Sequence, residues 1–198
     1  VMKKTRILAL VCAMLLVFSF AYAEKPEADL TKLSTWEGTW LNYLSFLEKD
    51  EVKEEMEKLA KSHNKTVEEA VEGMLAMLQN DYAKMKIEGD NVSFLDAEDK
   101  EVAKNKYSFV SLVKDTFGDH EFEWALYTTE DKDAKYPALL MVAPHSDKED
   151  SVVHFHVRYG KDQEELKGKQ GWFPTFVKED TTVETFMGEL EGLFSGEH

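Results

Sequence analysis

The sequence predicts a mainly β fold: an antiparallel barrel of short strands, with helices added near its N-terminal part and a packing helix at its C-terminal end. Three observations predict it. From Lys84 onward, apolar residues alternate with polar ones in short runs separated by turn-forming residues, the pattern of strands with one buried face. Before that point, and again near the end of the chain, apolar residues instead recur every three or four positions, as on one face of a helix. The strand runs follow one another at short spacing, so neighbours pair as hairpins, and closing such a sheet on itself removes its exposed edges.

Taken in order, the chain begins with a leader. Met2-Lys3-Lys4-Thr5-Arg6 is basic, Ile7 to Phe20 is almost wholly apolar, and Ala21-Tyr22-Ala23 has the small-x-small form of a signal-peptidase site, so residues 1–23 read as a secretory signal peptide. The apolar run is shorter than the roughly 20 residues a membrane-spanning helix needs. Cleavage is expected before Glu24, leaving a soluble chain with no stable membrane insertion, in the periplasm or outside the cell. Cys12 follows Leu10-Val11, a poor match to a lipoprotein site, and it is the only cysteine. Its loss with the leader leaves neither a disulfide nor a thiolate ligand, so any metal site must use histidine and carboxylate. The full chain has 24 Lys+Arg against 39 Asp+Glu, a net charge of −15; the leader takes Lys3, Lys4 and Arg6 and no acid, leaving 21 against 39. Such a negative field argues against a nucleic-acid partner.

Residues 24–30 form a short flexible acidic lead containing Pro26, and residues 31–198 a single domain. Trp36-Glu37-Gly38-Thr39-Trp40 reads either as the opening of a small barrel, with a Trp closing its base, or as part of a general aromatic core; Trp40, Tyr43, Leu44 and Leu47 have the spacing of a helix face. Residues 50–62 form an amphipathic helix with Val52, Met56 and Leu59 inward, and Thr66 to Glu69 has the spacing of a capping box that starts a second helix through Leu78. Between them His63 reads as a surface residue.

The strands then follow. Met85, Ile87 and Val92, Phe94 flank the turn Glu88-Gly89-Asp90-Asn91; Tyr107 to Val113 and Phe122 to Leu126 flank Phe117-Gly118-Asp119-His120; and Tyr136 to Val142 leads to His145. Asp162 opens a polar helical turn, and Gly171-Trp172-Phe173-Pro174-Thr175 is an aromatic interruption. Thr181 to Glu184 has the spacing of a second capping box, and Val183, Phe186, Met187, Leu190 and Phe194 line one face of a terminal helix that should pack across the sheet.

Chemistry concentrates between Pro144 and Gly160, which holds three of the six histidines. Side chains on a strand alternate faces, so His154 and His156 point the same way about 6.6 Å apart, within reach of one ion. If the chain reverses at the polar turn Ser146 to Asp150, His145 supplies a third nitrogen. Three neutral imidazoles suit zinc, with a fourth position open; the plainer reading is a pair of polar residues on a wet strand face.

In order and spacing, several of these pieces resemble the ZinT (YodA) family of exported zinc-binding proteins. They are Leu33-Ser34, Trp36, Gly38 and Trp40; Lys65-Thr66; the segment from Tyr82 to Phe94; Lys135-Tyr136; His145 followed at fixed spacing by His154-Phe155-His156; Gly160 and Asp162; and Trp172 with Pro174-Thr175. The resemblance spans roughly Leu33 to Phe194. It implies a calycin-like, lipocalin-type barrel that binds Zn2+, and sometimes Cd2+ or another divalent ion, through His145, His154 and His156 at the barrel mouth. It also implies a role in zinc recruitment and homeostasis, with the ion passed to the solute-binding protein of a zinc ABC importer. The chain departs from the family where Ala143-Pro144 replaces Ser-Asp before the first histidine and where Arg158 replaces an apolar or aromatic residue. A charge at 158 on the histidine face opposes a cation unless a carboxylate neutralises it or it holds an anionic fourth ligand. The histidine-rich N-terminal tail and the cysteine pair of some relatives are absent from Glu24 onward.

Two other functions compete with metal binding. One is an exported lipocalin-like carrier of a small apolar or anionic ligand, with Arg158 as the anion's partner. The other is a zinc hydrolase or lyase, which ranks last because no H-E-x-x-H and no motif-placed general base occurs, and the chain is expected not to be an enzyme.

Overall fold

The structure, a computed structural model, describes residues 28–118, 120–147 and 151–195. The leader with Cys12, the start of the acidic lead, Asp119, the turn at 148–150 and His198 lie outside the described residues.

Among the described residues, nine antiparallel strands form one sheet: β1 (Gly38–Asn42), β2 (Lys84–Glu88), β3 (Asn91–Leu95), β4 (Glu101–Lys106), β5 (Ser108–Phe117), β6 (His120–Thr128), β7 (Ala138–Val142), β8 (His154–Gly160) and β9 (Thr175–Lys178). Five α-helices accompany them: α1 (Asp50–Ser62), α2 (Val67–Leu78), α3 (Gln163–Gly168), α4 (Val183–Met187) and α5 (Leu190–Ser195). The pairing order is β4-β3-β2-β1-β9-β8-β7-β6-β5. The mainly β, lipocalin-like expectation is borne out as a curled half-barrel. Its terminal strands β4 and β5 are joined through Tyr107, with no ladder between them among the described residues.

Alternation divides the sheet into two faces. One encloses a core of Trp36, Trp40, Met85, Ile87, Phe94, Tyr127, Leu139, Met141, Phe155, Val157 and Phe176. Trp36 is fully buried and donates its indole N–H to the Val142 carbonyl at 2.8 Å. The other face meets the helices. Leu41, Val152 and Val177 pack there with Val52, Met56, Phe186 and Leu190, while Trp124, Leu126, Leu140 and Val142 pack with Leu78, Leu166 and Phe173.

Local chemistry explains most elements and the departures from expectation. Thr66 accepts from the Glu69 N–H, and the Glu69 carboxylate accepts from the Thr66 N–H, so α2 starts with the expected box. The helix-like spacing at Trp40, Tyr43, Leu44 and Leu47 resolves differently: Trp40 lies in β1, and only Tyr43–Phe46 turns, as a 3-10 helix capped by Asn42. Pairing with β2 and β9 overrides the local period there. Near the end, Thr182 rather than Thr181 caps α4, and residue Thr185 stands where a reciprocal box needs an acid. The expected single terminal helix is broken at Gly188-Glu189, although α4 and α5 pack over the sheet as expected. Strands β4 and β9 are additions to the sequence reading: β4 is a polar edge and β9 only four residues long.

Candidate metal centre

His154 and His156 alternate with Phe155 and Val157, which enter the enclosed core, so both imidazoles lie on the helix-covered face. His154 opens β8, so the pair stands near one end of the strand, on the face turned away from the enclosed core. His145 joins them through an irregularity. Met141 pairs with Val157 and His145 with His154, four steps on one strand against three on its partner. The extra residue is a bulge at Ala143-Pro144, where proline has no N–H to give the ladder. Counted in twos from Leu139 and Met141, His145 belongs to the enclosed face; the bulge turns it over to join His154 and His156. The polar reversal after His145 therefore does what the sequence required of it, with His145 and His154 exchanging backbone bonds of 2.9 Å.

The three rings converge, with centroid separations of 4.3 Å (His145 to His154), 5.4 Å (His145 to His156) and 5.2 Å (His154 to His156). One potential ligand atom from each lies within 4.8 Å of the others. Each Nδ1 is already committed: His145 to the Ala143 carbonyl at 2.9 Å, His154 to the Val152 carbonyl at 3.1 Å, and His156 to the Thr175 hydroxyl at 2.9 Å. Carbonyls only accept, and the Thr175 hydroxyl gives its own proton to the Phe173 carbonyl at 2.7 Å. All three Nδ1 atoms therefore carry the proton in the neutral ring, which leaves every Nε2 with a free lone pair. The Ala143 carbonyl thus fixes the orientation of the His145 ring.

Electrostatics disfavour the charged form of His154 and His156. Burial pushes the His154 pKa down, with the neighbouring His145 adding to the effect; burial, His154, His145 and Arg158 push His156 well down. Asp147 and Glu189 act on His154 in the opposite sense. Arg158 shares the face, as alternation demands, and a carboxylate does neutralise it. Its Nη1 lies 3.1 Å from Asp115 Oδ2, with side-chain exposures of 1% and 14%, and its Nε donates to the Trp172 carbonyl at 3.0 Å. The guanidinium also stacks on Trp124 at 4.3 Å and Phe173 at 5.0 Å, and the Phe173 ring in turn meets His156 edge-on at 5.5 Å. Its remaining nitrogen, Nη2, has no hydrogen-bond partner among the described residues. The arginine that an anion carrier would use is thus largely occupied by the protein itself.

Neither His63 nor His120 joins the cluster: His63 Nε2 meets Glu191 Oε1 at 3.0 Å, and His120 is exposed at the start of β6. Sequence reasoning missed Asp115 and Glu189, whose distance along the chain from the histidines leaves no spacing signal, and read Asp147 only as part of the polar turn. Thr175 was visible only as part of the family pattern.

The fold and the site together define a lipocalin-like half-barrel carrying a half-buried set of three histidines spaced to hold a metal ion. The chain belongs to the ZinT (YodA) family of periplasmic, lipocalin-like zinc-recruitment proteins, whose profile matches residues 19–191. No curated protein matches it in sequence. Among solved structures, it is similar to the Zn(II)-bound ZinT-like domain of Streptococcus pneumoniae AdcA, with a TM-score of 0.62 and 21% identity over 81% of this chain and 89% of that domain. Zn(II)-bound AdcA from the same organism matches with a TM-score of 0.63 and 21% identity over 81% of this chain, which spans only 35% of AdcA. These likenesses establish a shared fold. No described helix is long and apolar enough to cross a membrane.

Proposed function

We propose that the chain is an extracytoplasmic zinc-binding protein acting in zinc recruitment, which holds one ion through Nε2 of His145, His154 and His156. The observation that carries this reading is the set of three Nδ1 hydrogen bonds, which leaves the Nε2 lone pairs of three half-buried, converging rings free for an ion. Tetrahedral zinc with Zn–N bonds of ~2.0–2.1 Å needs ligand nitrogens about 3.4 Å apart. Atoms already within 4.8 Å of one another reach that by small ring rotations. A fourth position remains for water or a partner's side chain, so the ion can be handed on, and the solute-binding protein of a zinc ABC importer is the recipient in this reading. Cadmium, with similar ligand preferences, occupies the same set. Family membership and the zinc-bound AdcA domain support the choice of metal. The domain division goes with it: residues 1–23 are removed on export, 24–30 are a lead, and 31–198 carry the site. The protein is not an enzyme in this reading, which rests on membership of a zinc-recruitment family.

Metal analysis and zinc titration of the purified mature protein test the proposal. Wild type takes up one tightly held zinc ion; His145→Ala, His154→Ala and His156→Ala each lose it. Equal uptake by any of the three removes that residue from the site. Chelator treatment distinguishes the carrier alternative, which requires stability unaffected by metal removal.

A further inference from the structure

We propose, on the basis of the zinc reading above, that Glu189 is a positioning residue for the histidine cluster and couples the C-terminal helices to the metal. Glu189 Oε1 accepts the Val152 N–H at 3.1 Å, and the Val152 carbonyl accepts from His154 Nδ1 at 3.1 Å. A single residue ahead of β8 is thus held by the C-terminal segment on one side and orients a ligand imidazole on the other. Glu189 reaches Val152 because the expected terminal helix breaks there: the Gly188 and Glu189 N–H groups close tight turns onto Thr185 and Phe186, and α5 then begins at Leu190. The interruption that cost the helix its continuity places the carboxylate.

Two independent contacts hold α5 in place beyond that point. Glu191 meets His63, and the Lys65 ammonium donates to the Phe194 carbonyl at 2.7 Å, fastening α5 to the turn between α1 and α2. Val152 is itself buried among Phe186, Leu190 and Phe194. Glu189 is not a ligand of the preformed set, since the metal-spaced group among the described residues contains only the three histidines. It acts through the backbone, as outer hydrogen-bond partners of metal ligands do. Coupling of this kind is reciprocal: an ion on His154 steadies the C-terminal segment, and a partner that lifts α4 and α5 loosens one of three ligands and promotes release.

The test uses the full mature chain and its Glu189→Ala and Glu189→Gln variants. Zinc titrations are expected to show one tight ion in wild type and a roughly 10- to 100-fold weaker affinity in Glu189→Ala. Glu189→Gln, which keeps an oxygen for the Val152 N–H without the charge, should recover most of the loss. Hydrogen exchange of wild type with and without zinc should show slower exchange of amides in residues 183–192 when zinc is bound. Wild-type affinity in Glu189→Ala, or a Glu189→Gln as weak as Glu189→Ala, overturns the positioning role. Unchanged exchange in wild type overturns the coupling even if Glu189→Ala does not fold. Failure of wild type to take up zinc is a distinct outcome that overturns the zinc reading and this proposal with it.

Discussion

His145, His154 and His156 each commit Nδ1 to a neighbouring oxygen, and that choice of tautomer prepares Nε2 for an ion. Burial that keeps His154 and His156 neutral carries a pH signature. An unfolded histidine takes up a proton near its ordinary 6.5. With their folded values below that, the unfolded state binds more protons as pH falls through 6.5 toward those values, so stability is lost on acidification. The melting temperature of the zinc-free protein should therefore fall between pH 7.5 and 5.5, and fall less in His156→Asn; equal slopes would contradict the burial effect. Arg158 makes a second prediction at this scale. Removing Asp115 leaves a buried cation uncompensated, so Asp115→Ala should cost about 3 kcal/mol in denaturant unfolding. It should also weaken zinc binding by exposing the cluster to the full guanidinium charge. A loss below about 1 kcal/mol would show the pair to be no more than a surface contact.

The element that makes the site is the bulge between β7 and the His145 bridge. Deleting Ala143 should leave three steps on each strand, a regular register in which alternation alone puts His145 on the His154 face. The deletion is expected to keep zinc affinity near that of wild type, measured by competition with a chromophoric chelator; a loss as large as that of His145→Ala would mean that the bulge places the ring in a way a regular ladder does not. Elements whose signals are local were legible in the sequence. The Thr66 box and the Glu88–Asn91 turn, with Gly89 at φ +58°, are written in adjacent residues. Elements stabilised by distant partners were not. Strand β9 is a strand because β1 and β8 both pair with it, and Trp40 extends because β2 does. The pair His154 and His156 followed from alternation alone. The side of the sheet on which the histidines stand did not, because strand periodicity distinguishes two faces without saying which one the curl encloses.

At the scale of the whole molecule, the curl encloses one set of aromatic residues while the helices cover the other face, and the histidines lie beneath that helical layer. Arg158 and Asp115, and Glu189 and Val152, are 43 and 37 residues apart in the chain, so the surroundings of the cluster exist only when the entire half-barrel is formed. Zinc binding is accordingly a property of the folded domain rather than of the H-x-H peptide. X-ray absorption at the zinc edge of the metal-loaded mature protein tests this most directly. Three imidazole nitrogens at ~2.0–2.1 Å, falling to two in His145→Ala, are the expected result. A wild-type spectrum with two imidazoles or fewer, or one unchanged by His145→Ala, would contradict a three-histidine site.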